Sequence, residues 1–335
     1  GNPWRFFIDP ATSSSLPTIV QYRPMMPFTF ALGRSLGGAL GVDPLVSDHL
    51  GSLAFHLVAV FLAFGWLQRV LALSGEPQER ADRIAGWAVA LYAVHPVVGV
   101  PINYLCARDL LLMQMFSMGA LNAWARYRCS ARHDEGDARW MVLALVCLAF
   151  AMLSKQNAFA LPFVLVVFEW LIARRPVGEA LTYRGPALFA CVVAGSFAWT
   201  EWYVGFSDID QLSFERKFWE YPATMAEAHP FYYLRNAVWP FEMRMLPDLE
   251  VPASPFEPTV VLGAAFILAT LAVAWRVRQR LPVLCFAILA YWLMFAVTSS
   301  VRPFRYLAMD YRQVPSLPYL CLIASLGLEW LRARY

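Results

Sequence analysis

The sequence predicts an all-α polytopic membrane protein, a helical bundle with about nine visible transmembrane helices and interfacial helices on its outer side. Three observations carry that expectation. Of the 335 residues, 59% are hydrophobic and only 15% charged, whereas soluble domains use about 25% charged residues. Apolar runs recur at lengths suited to a hydrocarbon core of about 30 Å. Between them, Lys and Arg gather in alternate connecting loops. The net charge of +3 comes with no basic patch interleaved with aromatics, so a nucleic-acid partner is not expected. The six cysteines show no metal-like spacing and read as small hydrophobes, so neither a metal nor a cofactor is expected.

Residues 1–47 are too polar and too rich in proline to cross a bilayer. They read as an outer, periplasmic loop with an interfacial helix over 28–40. A first span entering from that side implies a further hydrophobic segment upstream of Gly1. Residues 48–204 then hold spans 1–6. The first three are 50–67, 84–100 and 110–124. As one helix, residues 140–173 would extend about 50 Å at 1.5 Å per residue. That run must therefore turn back at its one polar break, Ser154-Lys155-Gln156-Asn157, giving two short spans. Residues 187–203 form the sixth, residues 205–258 a long outer loop, and residues 259–335 the last three spans, at 260–275, 281–297 and 314–331.

Orientation follows from the loops. Those holding Arg69, Arg80 and Arg83, then Arg126, Arg128, Arg132 and Arg139, then Arg174, Arg175 and Arg184, then Arg276, Arg278 and Arg280 alternate onto one side, which is cytoplasmic. The opposite side receives six cations from separate segments: Arg23, Arg108, Lys155, Arg302, Arg305 and Arg312. One cation near an interface reads as snorkelling, or as pairing with a neighbour such as Asp109 beside Arg108 or Asp310 beside Arg312. Six together suggest a phosphate site, since Arg offers a planar fork of donors and Lys a point charge. At a bilayer edge the natural ligand is a lipid phosphate. The long outer loop, with the end of the span before it, adds Trp202, Tyr203, Trp219, Tyr221, Tyr232, Tyr233 and Trp239, which suit either a membrane-surface belt or stacking on sugars.

An ordered series of short motifs runs along the chain: Tyr22-Arg23-Pro24, Asp48-His49 with His56 in the first span, His95-Pro96 before Arg108, Ser154-Lys155-Gln156 before Leu161-Pro162, Trp239-Pro240 before Pro247-Asp248, and Asp310-Tyr311-Arg312 before Pro315-Ser316-Leu317. The series resembles the transmembrane and tetratricopeptide-repeat family of O-mannosyltransferases, and more closely its bacterial relatives, multispanning glycosyltransferases of the GT-C fold. The resemblance implies transfer of a sugar from a polyprenyl-phosphate donor to an acceptor protein or glycan, on the periplasmic or exterior side of a bacterial inner membrane. It gives Arg23, Arg108, Lys155 and Arg312 the phosphate role, joined by Arg302 and Arg305 from their position, with Tyr22, His95 and Gln156 shaping the site.

The chain departs from that pattern in its acids. The family's paired acids upstream of Tyr-Arg-Pro are absent, which leaves Asp9 and Asp48 as candidates for the base. Val100 and Gln156 stand where the family has glutamates. Such exchanges preserve phosphate attraction while removing proton acceptors. The alternative reading is therefore a catalytically degenerate GT-C-like scaffold or accessory subunit, with other membrane subunits as partners. Two further classes are weaker. His56 and His95 could face a haem or quinone, and a transporter would call for internal repeats that do not stand out.

Overall fold

The computed structural model describes residues 4–13, 22–130, 136–204, 218–241, 243–299 and 306–335. All regular structure among them is helical, and it divides into two compact units. The first comprises residues 1–69, 101–162 and 182–210, the second residues 70–100, 163–181 and 211–335.

In the first unit, α1 (Arg5–Ile8), α2 (Met25–Ala39) and the greater part of α3 (Pro44–Ser74) precede α6 (Arg108–Ser130), α7 (Ala138–Ser154) and α10 (Arg184–Val204). α6 is the core element, with 17 of its 23 residues buried, and it packs along α7. Trp124 is fully buried among Tyr127, Tyr183 and Phe189. Gly185 is small of necessity, because a Cβ there would lie 2.3 Å from the Trp124 ring. α3 has two distinct faces. Ala59, Ala63, Trp66 and Leu67 are buried, while Val46, Leu50, Leu53, Leu57 and Phe61 form an exposed apolar stripe at three- and four-residue spacing.

The second unit contains α4 (Gln78–Ala93), the start of α5 (Pro96–Asn103), most of α8 (Leu161–Leu171), α9 (Val177–Thr182), α11 (Glu220–Ala228), α12 (Arg235–Val238), α13 (Pro258–Val277), α14 (Pro282–Ala296) and α15 (Leu317–Arg332). α15 lies against α4, where Ser325 Oγ donates to the Ile84 carbonyl at 2.7 Å and Arg83 pairs with Glu329 at 2.7 Å. α11 crosses α13 so closely that a Cβ on Gly263 would come within 2.1 Å of the Ala226 carbonyl oxygen.

Two helices among the described residues are long and apolar enough to cross a membrane, Pro44–Ser74 and Pro258–Val277. A third arises if α4 and α5, bent by 51° at His95, count as one. This is fewer than the nine spans expected from the sequence. Ala138–Ser154, Gln156–Leu171 and Pro282–Ala296 are apolar but shorter. α6 is long enough, but it carries Arg108, Asp109, Gln114 and Asn122, all buried against protein. Its sequence answers to neighbouring helices rather than to lipid.

The turn expected at Ser154-Lys155-Gln156-Asn157 is present. α7 ends at Ser154, Lys155 is extended (φ −161°, ψ 137°), and a 3₁₀ turn over Gln156–Ala160 leads into α8. The expected interfacial helix is α2, three residues longer at its start. The expected outer loop over 205–258 is partly helical instead. Within it, α11, a π-helical turn (His229–Leu234) and α12 bury Tyr221, Met225, Ala228 and Tyr233. Those tyrosines are core: Tyr221 donates to the Thr298 carbonyl at 2.6 Å, and Tyr233 packs on Phe295.

Gly263→Ala is expected to cost about 1–3 kcal/mol, because the added methyl must push two helices apart. Gly86→Ala, where nothing lies within 4 Å, should stabilise by up to about 1 kcal/mol through the backbone alone. Thermal unfolding of the two purified variants checks the opposite signs.

Candidate functional site

One cluster of charge in the first unit forms where three segments meet the first turn of α6. Asp109 is buried, with 1% of its side chain exposed, and both Arg23 and Lys155 reach it. Lys155 Nζ lies 3.0 Å from Oδ2 and 3.2 Å from Oδ1, and Arg23 Nη1 donates to Oδ2. Burial alone would push this carboxyl up. The charges of Lys155 and Arg23 outweigh it and hold Asp109 below its ordinary range, helped by the Leu110 backbone N–H. Arg23 retains a buried Nε donor with no acceptor among the described residues.

Each arm is placed by its own segment. Arg23 precedes Pro24 at the entry to α2, and its neighbour Tyr22 is buried with its hydroxyl donating to the Phe7 carbonyl at 2.9 Å. Lys155 caps α7 in the extended conformation that separates α7 from the next turn. Two cations thus share one carboxylate.

A cleft of about 280 Å³ opens between α7 and α10, and its wall includes Tyr22 and Gln156, the chain neighbours of both cations. Met152, Leu153, Val192, Phe197 and Trp199 supply most of the remaining lining. The hydroxyls of Ser196 and Thr200 also lie there, yet each is turned back to its own helix, donating to Val192 and Ser196 carbonyls at 2.8 Å. The cleft therefore presents mainly hydrocarbon.

Arg108 turns elsewhere. It is 1% exposed, donates to the Asp48 carbonyl and to Ser52 Oγ (3.1 Å), and lies 3.6 Å from the centre of the Phe30 ring. Gly51 leaves room for it, since a Cβ there would approach Nη2 to 3.4 Å. Adjacent helical residues point about 100° apart, so Arg108 cannot serve as the partner of Asp109. Asp48, equally buried, is paired with Arg34 at 2.8 Å and has Arg108 at 3.9 Å. Asp9 is the more accessible candidate base, 31% exposed, with Arg5 at 3.2 Å.

In the second unit, Arg312 donates to the carbonyls of Tyr306 (2.7 Å) and Leu307 (2.8 Å), bracing the chain that leads into its own 3₁₀ turn. Asp310 turns instead to Tyr232 and Asn236, and burial pushes its carboxyl up. His95 accepts from the Val97 N–H at Nδ1 (3.3 Å), which assigns the proton to Nε2 and makes it the donor to the Ala237 carbonyl at 2.9 Å. With both nitrogens engaged, this imidazole holds α5 to α12. Arg302 and Arg305 lie outside the described residues.

Sequence reasoning named Asp109 only as a neighbour for Arg108 and did not single out Arg34. Asp109 was legible in one respect, since a carboxylate opening an apolar run needs a cation. That its partners lie 86 and 46 residues away was not. Comparisons of the chain with protein-family models, with characterised proteins and with solved structures found no match.

Asp109→Asn is expected to destabilise the protein by about 3 kcal/mol, because it leaves two partly buried cations without their counter-charge. The folded-state pKa of Asp109 is depressed. Its contribution is therefore complete above the ordinary value of 3.8 and drains away as pH falls through the depressed value. Chemical denaturation from pH 7 to pH 3 should show a shallower acid loss in the variant.

Proposed function

We propose that the chain is a membrane glycosyltransferase of the GT-C type, spanning the bilayer about nine times. It would move a sugar from a polyprenyl-phosphate donor to a protein or glycan acceptor on the outer side. The observation that carries this reading is the adjoining of a hydrocarbon-lined cleft to a cationic pair with a spare, buried Arg23 Nε donor. The apolar cleft suits a prenyl chain and the pair suits its phosphate.

In this scheme the acceptor oxygen bonds to the sugar's anomeric carbon while the bond from that carbon to the phosphate oxygen breaks. Arg23 and Lys155 stabilise the charge on the departing lipid phosphate, with Asp109 as their resident counter-ion. The acceptor's proton goes to a carboxylate, for which Asp9 is favoured over Asp48 by accessibility, 31% against 1% of the side chain. Asp9 is also tied to the cleft, because its helix α1 is held at Phe7 by Tyr22.

The second reading, a degenerate scaffold or accessory subunit, is favoured by one specific feature. The cleft carries the neutral amide of Gln156 where the resembled family has an acid, and Asp48 and Asp109 are both held by cations.

The test is reconstitution of the full-length protein in liposomes with polyprenyl-phosphate sugars and an acceptor panel. Arg23→Gln and Lys155→Met should each weaken donor binding about tenfold or more, the scale of one charge-assisted hydrogen bond. Asp9→Asn should suppress transfer with donor binding retained. Donor binding without transfer by the wild type selects the scaffold reading, and absence of both removes the lipid-phosphate site.

A further inference from the structure

We infer that the second unit carries a separate binding site for a phosphate-bearing anion, supplied by an anionic membrane lipid, between the C-terminal end of α8 and the α13–α14 turn. The site is a cleft of about 480 Å³ lined by Arg174, Arg175 and Arg278 together with Trp170, Pro176 and Pro282. The sequence assigns the loops holding these arginines to one cytoplasmic side from the Lys and Arg bias alone. They are more than 100 residues apart, and the fold brings them to one cavity.

Three observations argue for a ligand. The first is charge. Three guanidinium groups line the cleft, and of these Arg175 lies 3.4 Å from the fully buried Glu169. Neither Arg174 nor Arg278 has an acidic partner among the described residues. Arg278 is instead pre-positioned, donating to the Trp275 carbonyl at 2.6 Å and lying 3.9 Å from the centre of that ring.

The second is backbone strain. Arg174 has φ 58°, the one described residue other than glycine with positive φ. It occupies the left-handed position that closes α8, where the next N–H, of Arg175, bonds back to the Glu169 carbonyl at 2.9 Å. Glycine fills such a position without strain, so an arginine there sacrifices stability for a side chain. The third is setting. Trp170 and Trp275 lie 6.1 Å apart beside the arginines, an aromatic pair of the kind that marks headgroup depth. Basic pockets between helices at that level take lipid phosphates.

The site owes nothing to the outer cations or to sugar transfer, so it can fail or stand independently of the proposed function. It is tested on the full-length protein in neutral detergent, by native mass spectrometry of retained lipid. Phosphatidylglycerol and phosphatidylcholine are titrated separately, and inorganic phosphate serves as a competitor.

The wild type should prefer phosphatidylglycerol. Arg174→Gly should reduce that preference about fivefold, and Arg174→Gly with Arg278→Gln about 30-fold, the scale expected for loss of one and two interfacial cations. Arg174→Gly should at the same time raise the thermal stability, because it relieves the strained turn. Stabilisation with unchanged lipid preference would reduce Arg174 to a turn residue and overturn the site, as would equal retention of the two lipids by the wild type. Displacement of phosphatidylglycerol by millimolar inorganic phosphate would overturn the lipid source in favour of a soluble phosphate, whereas resistance to it supports the lipid.

Discussion

Asp109 ties three segments of the first unit to one point. Without a carboxylate there, Arg23 would have no reason to enter the protein, and Lys155 could not remain largely buried at the end of an apolar helix. Both are long side chains whose ordering costs up to about 2 kcal/mol of rotamer freedom each. A shared, desolvated counter-charge is what offsets that cost. The consequences spread along the chain. Lys155, drawn inward, fixes the extended residue at which α7 stops, and Arg23 brings Tyr22 to the cleft wall. The first turn of α6 is also where a negative charge is favoured by the helix dipole and by free backbone N–H groups. Local helix physics and long-range pairing thus agree on this position.

The second ion cluster of that unit follows another logic. Asp48 and Arg108 are each 1% exposed, while Arg34 closes the group from the outside at 59% exposure. Arg108 is solvated by a carbonyl, a hydroxyl and an aromatic face rather than by one strong pair. Such an arrangement suits a guanidinium, whose flat faces accept ring stacking while its edge donates. A lysine there would leave the Phe30 contact and the divergent donors unmatched. The structure therefore gives adjacent arginine and aspartate residues unrelated duties, one bracing α3 against α6, the other gathering the N-terminal segment and the α7 break.

Helical class was legible from composition and periodicity, and the turn at Lys155 from length together with the one polar break, because a 34-residue apolar run is too long for a single span. The count of spans was harder to read. Apolar runs within 110–124 and 281–297 are equally compatible with lipid and with protein neighbours, and α6 proves to be buried nearly all round. The helical content of 218–241 was obscured by its aromatics, which suit a membrane belt as well as a core; Tyr221 and Tyr233 became core through contacts with Thr298 and Phe295. In the candidate site, the neighbouring acid suggested for Arg108 and for Arg312 is in neither case the partner. Both arginines satisfy carbonyls, and sequence proximity on a helix or tight turn says little about which way two side chains point.

A resident counter-ion bears on what the cationic pair can do. An isolated pair of partly buried cations would repel each other and open to water. Asp109 between them holds both in place. An incoming phosphodiester, a monoanion, would then gain from two charged donors and the Arg23 Nε–H, against repulsion from one carboxylate already engaged. At an effective dielectric near 20, each unit-charge contact at 4 Å is on the order of 4 kcal/mol. Two attractive contacts against one repulsive contact leave the Coulombic sum favourable, and the desolvation of the phosphate is set against it. A buried acid is therefore compatible with anion recognition at this place, and it keeps the site ordered when no anion is bound.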